Sequence, residues 1–372
     1  MQKNWISLGL MSGTSGDGVD ISIIKSNGIN QYELIKDKYF EYDAEIYKDI
    51  HNLKEKINKI KDLKKFNVEI NDLERKITLF HARIIKELNV SENTLIGFHG
   101  QTLYHNPEEK ISKQLGSGKL LNQLTNRNII FDFRNNDILN GGQGAPLTPI
   151  FHQLIASQNN IELPVCFLNI GGISNITIVR NKDNFLKLVS RDIGPGNCLI
   201  DEWVRNNSNK KYDIDGNFAS SGKRDEIIYE QAQELYMNRN NKKKLSFDVN
   251  DFDISFARGL SLEDGAATLT DFTASIIGEE LSLLLSNSEE KVNDILLCGG
   301  GRKNKVLVQK IKENLSSDVN IKNIDDYKIN GDFIESQAFA FLAIRSFLKL
   351  PISFPNTTGC KKPCLGGKII KN

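Results

Sequence analysis

Gly9-Leu10-Met11-Ser12-Gly13-Thr14-Ser15-Gly16-Asp17-Gly18-Val19-Asp20 is the segment from which the fold can be read. It carries an apolar strand, Trp5–Met11, through a turn of small residues into a second strand, Val19–Lys25. Ser26-Asn27-Gly28 then turns the chain into a third, Tyr32–Tyr42. Connections this short make antiparallel neighbours. The pattern restarts at Val165–Asn169, which Gly171-Gly172 closes. Asn175–Val179 and Phe185–Val189 read as the next two strands, and Gly194-Pro195-Gly196-Asn197 opens a helix through Trp203. The second meander echoes the first in architecture, with no readable sequence identity.

Helical spacing of Ile77, Phe80, Ile84, Ile85 and Leu88 closes a charged, helix-like stretch from about Ala44 to Leu88. Leu95–His99 and Asn128–Phe133 read as buried strands, and Asp225–Met237, Asp264–Ser286 and Glu335–Leu348 as helices. Asp294–Cys298 is a strand feeding Gly299-Gly300-Gly301. The sharpest change in composition, Gly141-Gly142-Gln143-Gly144-Ala145-Pro146, marks a domain boundary. A chain of 372 residues suits two domains, and with no low-complexity linker they are expected to pack across a cleft.

Lys plus Arg number 48 against 47 Asp plus Glu, so a net charge of +1 exerts no general pull on nucleic acid. No apolar run approaches the roughly 18 residues of a membrane helix, and the start lacks the apolar core of a secretion signal. Five cysteines in a chain this large argue against a disulfide framework and for a reducing cytoplasm. Cys360-x3-Cys364 has no second Cys/His pair nearby in sequence. Zinc needs four ligands, or three plus water, so a metal is not expected there.

Four glycine-bearing segments follow strands. Between Ser12 and Gly18 no large apolar side chain intervenes, which exceeds what a hairpin turn requires. The backbone N–H groups and hydroxyls of such a turn suit phosphate oxygens, and Asp17 could hold Mg²⁺ through its water shell. Asp192, before a rigid Gly-Pro-Gly turn at a helix start, reads either as a charge complementing the helix dipole or as one of a pair of acidic loops gripping a triphosphate. Gly299–Gly301 allows close backbone approach, as at an adenosine, but lacks the dinucleotide-binding spacing. Asn169–Asn175 either closes a hairpin or meets sugar hydroxyls. A Walker P-loop and the protein-kinase signatures are missing. His99 and His105 read as structural, with no metal spacing beside them, and His51, His81 and His152 as surface or packing residues.

Together these blocks resemble the anhydro-N-acetylmuramic acid kinases of the actin–hexokinase–heat-shock chaperone superfamily. The matching segments are Met11–Asp20, His99-Gly100-Gln101-Thr102 with His105–Pro107, Gln114–Gly116, Asp132-Phe133-Arg134, Gly141–Leu147, Asn169–Asn175, Asp192–Asn197 with Asp201 and Trp203, Cys298–Gly301 and Glu335–Ala340. They keep their order from about residue 6 to 367.

The resemblance implies a two-domain, actin-like (ribonuclease H-like) α/β fold with a central inter-domain cleft. Its domains would be 1–145 with a C-terminal return over 352–372, and 146–351. It implies a cytoplasmic homodimer of peptidoglycan recycling that uses ATP, Mg²⁺ and water to convert the 1,6-anhydro sugar into N-acetylmuramic acid 6-phosphate. The alternative is a kinase of another anhydrosugar, such as levoglucosan.

Carried over, Asp192 resembles the general base, taking a proton from the water that attacks C1 while O6 attacks the γ-phosphorus. Gly13, Thr14, Ser15, Gly16, Asp17, Gly18, Val19 and Asp20 would bind phosphate. Gly194, Gly196, Asn197, Gly299, Gly300 and Gly301 would complete the nucleotide site. Arg134, Asn175, Glu335 and Gln101 would meet the sugar. Arg191 and Ile193 replace an apolar and a hydroxyl-bearing neighbour of the base, and strand alternation points Arg191 away from it.

Overall fold

A computed structural model of the chain describes residues 3–182, 184–237, 246–247, 249–286 and 290–372. They form two compact units. One comprises residues 1–161, 182–188 and 332–372, the other 162–181 and 189–331.

In the first unit β1 (Trp5–Ser12), β2 (Gly18–Ser26) and β3 (Tyr32–Glu41) form an antiparallel meander, with Trp5 opposite Ser26 and Gly18 opposite Glu41. β4 (Leu95–Asn106) lies parallel to β1, and β5 (Ile111–Leu115) pairs antiparallel with β4. β6 (Ile129–Phe131) runs parallel to β4, and the C-terminal strand Lys368–Ile370 closes that edge. Parallel pairing of β1 and β4 requires a crossover, which the helices Ala44–Lys56, Ile60–Lys65 and Asn67–Glu87 supply. Their buried Ile50, Leu53, Ile77 and Phe80 join Leu8, Leu10, Ile96 and Phe98 in one core.

The opposite relation of sheet and helix rests on a glycine pair. Gly9 and Gly97 are register partners on β1 and β4. A Cβ on Gly9 would stand 2.0 Å from the Ser336 carbonyl oxygen, and one on Gly97 2.5 Å from that of Phe339. Bare backbone there lets helix Ile334–Phe347 lie directly on the sheet, and the first turn of that helix carries Glu335.

The second unit repeats the strand order. β7 (Val165–Ile170), β8 (Ile173–Val179) and β9 (Val189–Pro195) form the meander, and β10 (Asp294–Cys298) and β11 (Asn320–Asn323) add in parallel beyond β7. An antiparallel meander whose first strand pairs with parallel crossover strands, built twice, is the ribonuclease H-like arrangement of actin-like ATPases. Helix Leu262–Ser286 is buried over most of its length. Its Gly265 leaves room for the Trp203 indole, whose Nε1 donates to the Leu262 carbonyl at 2.9 Å.

Two expectations change. Phe185–Val189 is not a strand: Phe185–Lys187 is a single 3-10 turn capped by Asn184, and the third strand begins at Val189. Asp192 therefore sits on a strand rather than in a loop. The units divide at 161/162 and 331/332, where the reading from sequence set 145/146 and 351/352. Helix Pro149–Gln158 belongs to the first unit, where Phe151 packs on Tyr32 and Phe341, and helix Ile334–Phe347 belongs there because its backbone rests on Gly9 and Gly97. Among the described residues no helix is long and apolar enough to cross a membrane.

Candidate active site

The β1–β2 turn of the first unit is held from beneath. Gln101 is fully buried, its Oε1 accepting from Ser12 Oγ at 2.6 Å and its Nε2 donating to the Gly13 carbonyl at 2.9 Å. The Tyr42 hydroxyl donates to Ser12 Oγ, and the Tyr42 N–H to the Asp17 carbonyl. Gly16 takes φ +64°, where a Cβ would also crowd Ile50. Lys54 Nζ donates to the Thr14 carbonyl at 2.7 Å. Gln101 was expected at the sugar. Its amide braces the glycine turn through both of its polar atoms.

Beside the turn lies an acidic group. Burial, then the charges of Glu335, Asp17, Asp332 and Asp37, pushes the Asp20 carboxyl up to about 8. Asp17 accepts from Ser15 Oγ at 2.5 Å, and Asp37 from Ser22 Oγ at 2.6 Å and from Gln337 Nε2. Glu335 and Asp20, 315 positions apart by their numbering, thus share one electrostatic environment.

Arg134 ends β6's excursion at the N-cap of the short helix Asn135–Leu139. Its Nη1 donates to the Gly144 carbonyl at 2.8 Å, and its Nε and Nη2 both reach Nε2 of His99. Burial and the Arg134 charge hold His99 well below its ordinary range, and burial with the same charge lowers His105 to about 3. His99 packs on Phe339 at 4.5 Å between centroids, and His105 Nδ1 lies 2.8 Å from Ser112 Oγ.

In the second unit three of the singled-out segments converge. The N–H groups of Gly196 and Cys198 donate to the Gly172 carbonyl, and that of Asn197 to Gly171. A Cβ on Gly196 would lie 2.2 Å from the Gly171 oxygen. Gly299, at φ +78°, approaches the Asn169 side chain and the Ile170 carbonyl. Gly301 approaches Ile170 and Asn197, and Gly300 has open space around it. Only bare backbone allows the three turns this proximity. Arg302 locks the last of them, its Nη1 on the Gly299 carbonyl at 2.9 Å and its Nε on Asp325 at 2.9 Å. Sequence reasoning passed over Arg302, whose buried guanidinium does not differ in sequence from a surface cation.

Asp192 is buried on β9, one register step from the bulge at Ser174/Asn175, with Asn175 as its cross-strand partner. Its Oδ2 accepts from the Phe247 N–H at 2.8 Å. Asn175 Oδ1 is buried without a hydrogen-bond partner, an acceptor awaiting a donor. Arg191 turns to Glu280 on helix Leu262–Ser286, Nη2 to Oε2 at 2.5 Å, so its charge is neutralised there.

The profile of anhydro-N-acetylmuramic acid kinases matches residues 5–372. The chain belongs to this family. It is 56% identical over 375 residues to the anhydro-N-acetylmuramic acid kinase of Pelagibacter ubique, covering all of both chains. Against the enzyme of the same name from Zymomonas mobilis identity is 36%, over 98% of this chain and 99% of that one. Membership makes the protein a kinase, and nothing among these relatives supports the levoglucosan alternative. A solved structure, component A of the Acidaminococcus fermentans (R)-2-hydroxyglutaryl-CoA dehydratase, is similar at 14% identity and a TM-score of 0.44, over 92% of this chain and 98% of that one. The strand orders, rather than that slight likeness, define the fold.

Proposed function

We propose that the protein uses ATP and water to convert 1,6-anhydro-N-acetylmuramic acid into N-acetylmuramic acid 6-phosphate, acting in the cytoplasm as a homodimer in cell-wall recycling. The reading rests on family membership and on one observation above all: a buried carboxylate, Asp192, oriented by a backbone N–H and paired across the sheet with the unpartnered Asn175 acceptor.

In this reading Asp192 takes a proton from water as the water oxygen bonds to C1. The C1–O6 bond breaks, and O6 bonds to the γ-phosphorus as the bond from that phosphorus to the β-γ bridging oxygen breaks. The transferred phosphoryl group captures the leaving oxygen, so no second carboxyl need act as its general acid. Asn175 would accept a sugar hydroxyl. Arg134, fixed by His99 and Gly144, would face the lactyl carboxylate, with Glu335 on a sugar hydroxyl. The turn Gly13–Asp20 would donate N–H and hydroxyl groups to phosphate oxygens, and Gly194, Gly196, Asn197 and Gly299–Gly301 would seat the nucleotide.

The residues present also fit Mg²⁺. Asp17 and Asp20 offer hard oxygens, and Asp20 stands among like charges that a divalent cation would relieve. Held there, Mg²⁺ would supply positive charge to offset that of the phosphates.

Mass spectrometry of the product from purified protein, ATP, Mg²⁺ and the anhydrosugar tests the reading. A gain of phosphate plus one water supports it, whereas phosphate alone contradicts the hydrolytic half.

A further inference from the structure

Cys360 and Cys364 lack a partner pair in sequence, but the fold brings them a carboxylate. One ligand atom from each of Asp137, Cys360 and Cys364 falls within 4.8 Å of the other two. The three residues are 1%, 2% and 3% exposed, and both cysteines are free thiols.

Asp137 is the anomaly. Buried carboxylates are expected to be paired with a cation or to coordinate a metal. Here the donors are all neutral: the Gly144 N–H at 2.7 Å, Ser353 Oγ at 2.5 Å and Thr358 Oγ1 at 2.7 Å. Among the described residues no cation forms an ion pair with it. The Cys364 thiol donates to the Lys362 carbonyl at 3.1 Å. The two sulfurs and one oxygen come together from separate stretches of the chain: the short helix after Arg134, and the loop between helix Pro355–Thr358 and the C-terminal strand.

We propose that Asp137, Cys360 and Cys364 form a binding site for a thiophilic divalent cation, Zn²⁺ by chemistry. Two sulfurs select a soft or borderline ion over Mg²⁺ or Ca²⁺, and three protein ligands plus water complete a tetrahedral shell. Each thiol gives its proton to solvent as the sulfur–metal bond forms. The ion would pin the C-terminal return to the Gly141–Ala145 turn. Asp137 holds that turn at the Gly144 N–H, and the Gly144 carbonyl receives Arg134. The site is independent of the reaction assigned to the protein.

Co²⁺ is the probe. Titrated into the reduced full-length chain, it should produce a thiolate-to-cobalt charge-transfer band that saturates at one equivalent and is bleached by Zn²⁺. The band should vanish in the double variant Cys360→Ser/Cys364→Ser and persist in Cys166→Ser. Asp137→Asn, which keeps an acceptor for Gly144, should weaken the binding while near-native circular dichroism shows the fold intact. No band in the unsubstituted chain, or an equal band in the double variant, overturns the proposal. So does a Cys360–Cys364 disulfide that forms in air as readily with saturating Zn²⁺ as without it.

Discussion

The guanidinium of Arg134 places two N–H groups on one atom of His99, with Nε 3.2 Å and Nη2 2.9 Å from Nε2. That geometry requires Nε2 to be the acceptor, so the ring proton resides on Nδ1 and donates to the Gly100 carbonyl at 2.7 Å. His99→Phe removes the acceptor and frees Arg134 to move. A hydrogen bond to a charged group contributes roughly 1.5–3 kcal/mol, so the KM for the anhydrosugar should rise about 10-fold or more. The KM for ATP should hold, and His99→Gln should recover part of the loss. Steady-state kinetics with each substrate varied decides this, and an unchanged sugar KM sinks the positioning role.

Acid stability follows from the buried imidazoles. Burial lowers His152 and His105 to about 3 and His81 to about 4. In the unfolded chain each takes up a proton near its ordinary value of about 6.5. The unfolded state thus binds more protons between those limits, and stability falls as pH drops below about 6.5. Each histidine contributes about 1.4 kcal/mol per pH unit in that window. Urea midpoints measured from pH 7 to pH 5 should fall less steeply for His152→Leu than for the unsubstituted protein. Equal slopes contradict the assignment.

Asp20 acts in the opposite sense. Its folded value of about 8 lies above the ordinary 3.8, so folding takes up a proton and stability falls as pH rises from about 4 toward 8. Asp20→Asn removes that burden. Without ligands the variant should melt higher than the parent at pH 8, by about 2–4 °C per kcal/mol relieved, and the gap should close toward pH 4. The same variant should lose the Mg²⁺-dependent part of stabilisation by ATP. A lower melting point at pH 8 would refute the electrostatic reading.

Much of the fold was legible because it rests on local chemistry. Short apolar runs punctuated by Gly, Ser and Asn marked both meanders, and the buried faces of the long helices appeared at helical spacing. The third strand of the second meander was not legible. Val189-Ser190-Arg191-Asp192-Ile193-Gly194-Pro195 holds residues poor in strand propensity, and it becomes a strand by pairing with β8 and burying Ser190 and Asp192 to Pro195. The partners of Asp137 and Gln101 were hidden for another reason. Ser353 and Thr358 lie 216 and 221 positions from Asp137, and Gly13 lies 88 from Gln101. Only the folded chain brings those groups together, whereas Asp192, Asn175 and the glycine turns announced themselves by residue type.

Two glycines separate architecture from ligand binding. Gly196→Ala would drive its Cβ to 2.2 Å from the Gly171 carbonyl oxygen, backbone against backbone, so it should lower both melting point and turnover. Gly300→Ala meets nothing within 4 Å and should leave the melting point unchanged. If the nucleotide rests on that turn, the same methyl should raise the KM for ATP severalfold. Paired melting and kinetic measurements check both, and a Gly300→Ala enzyme with native ATP kinetics removes this turn from the nucleotide site.

Asp192→Asn measures the central claim most directly. Asparagine is near in size and keeps an oxygen to accept the Phe247 N–H, so the melting point should stay within a few degrees. Turnover of 1,6-anhydro-N-acetylmuramic acid, followed as ADP release, should fall by about 10²–10⁴ or more, as loss of a general base requires. ATP binding should survive. Near-normal turnover by the folded variant would show that some other group takes the proton from water.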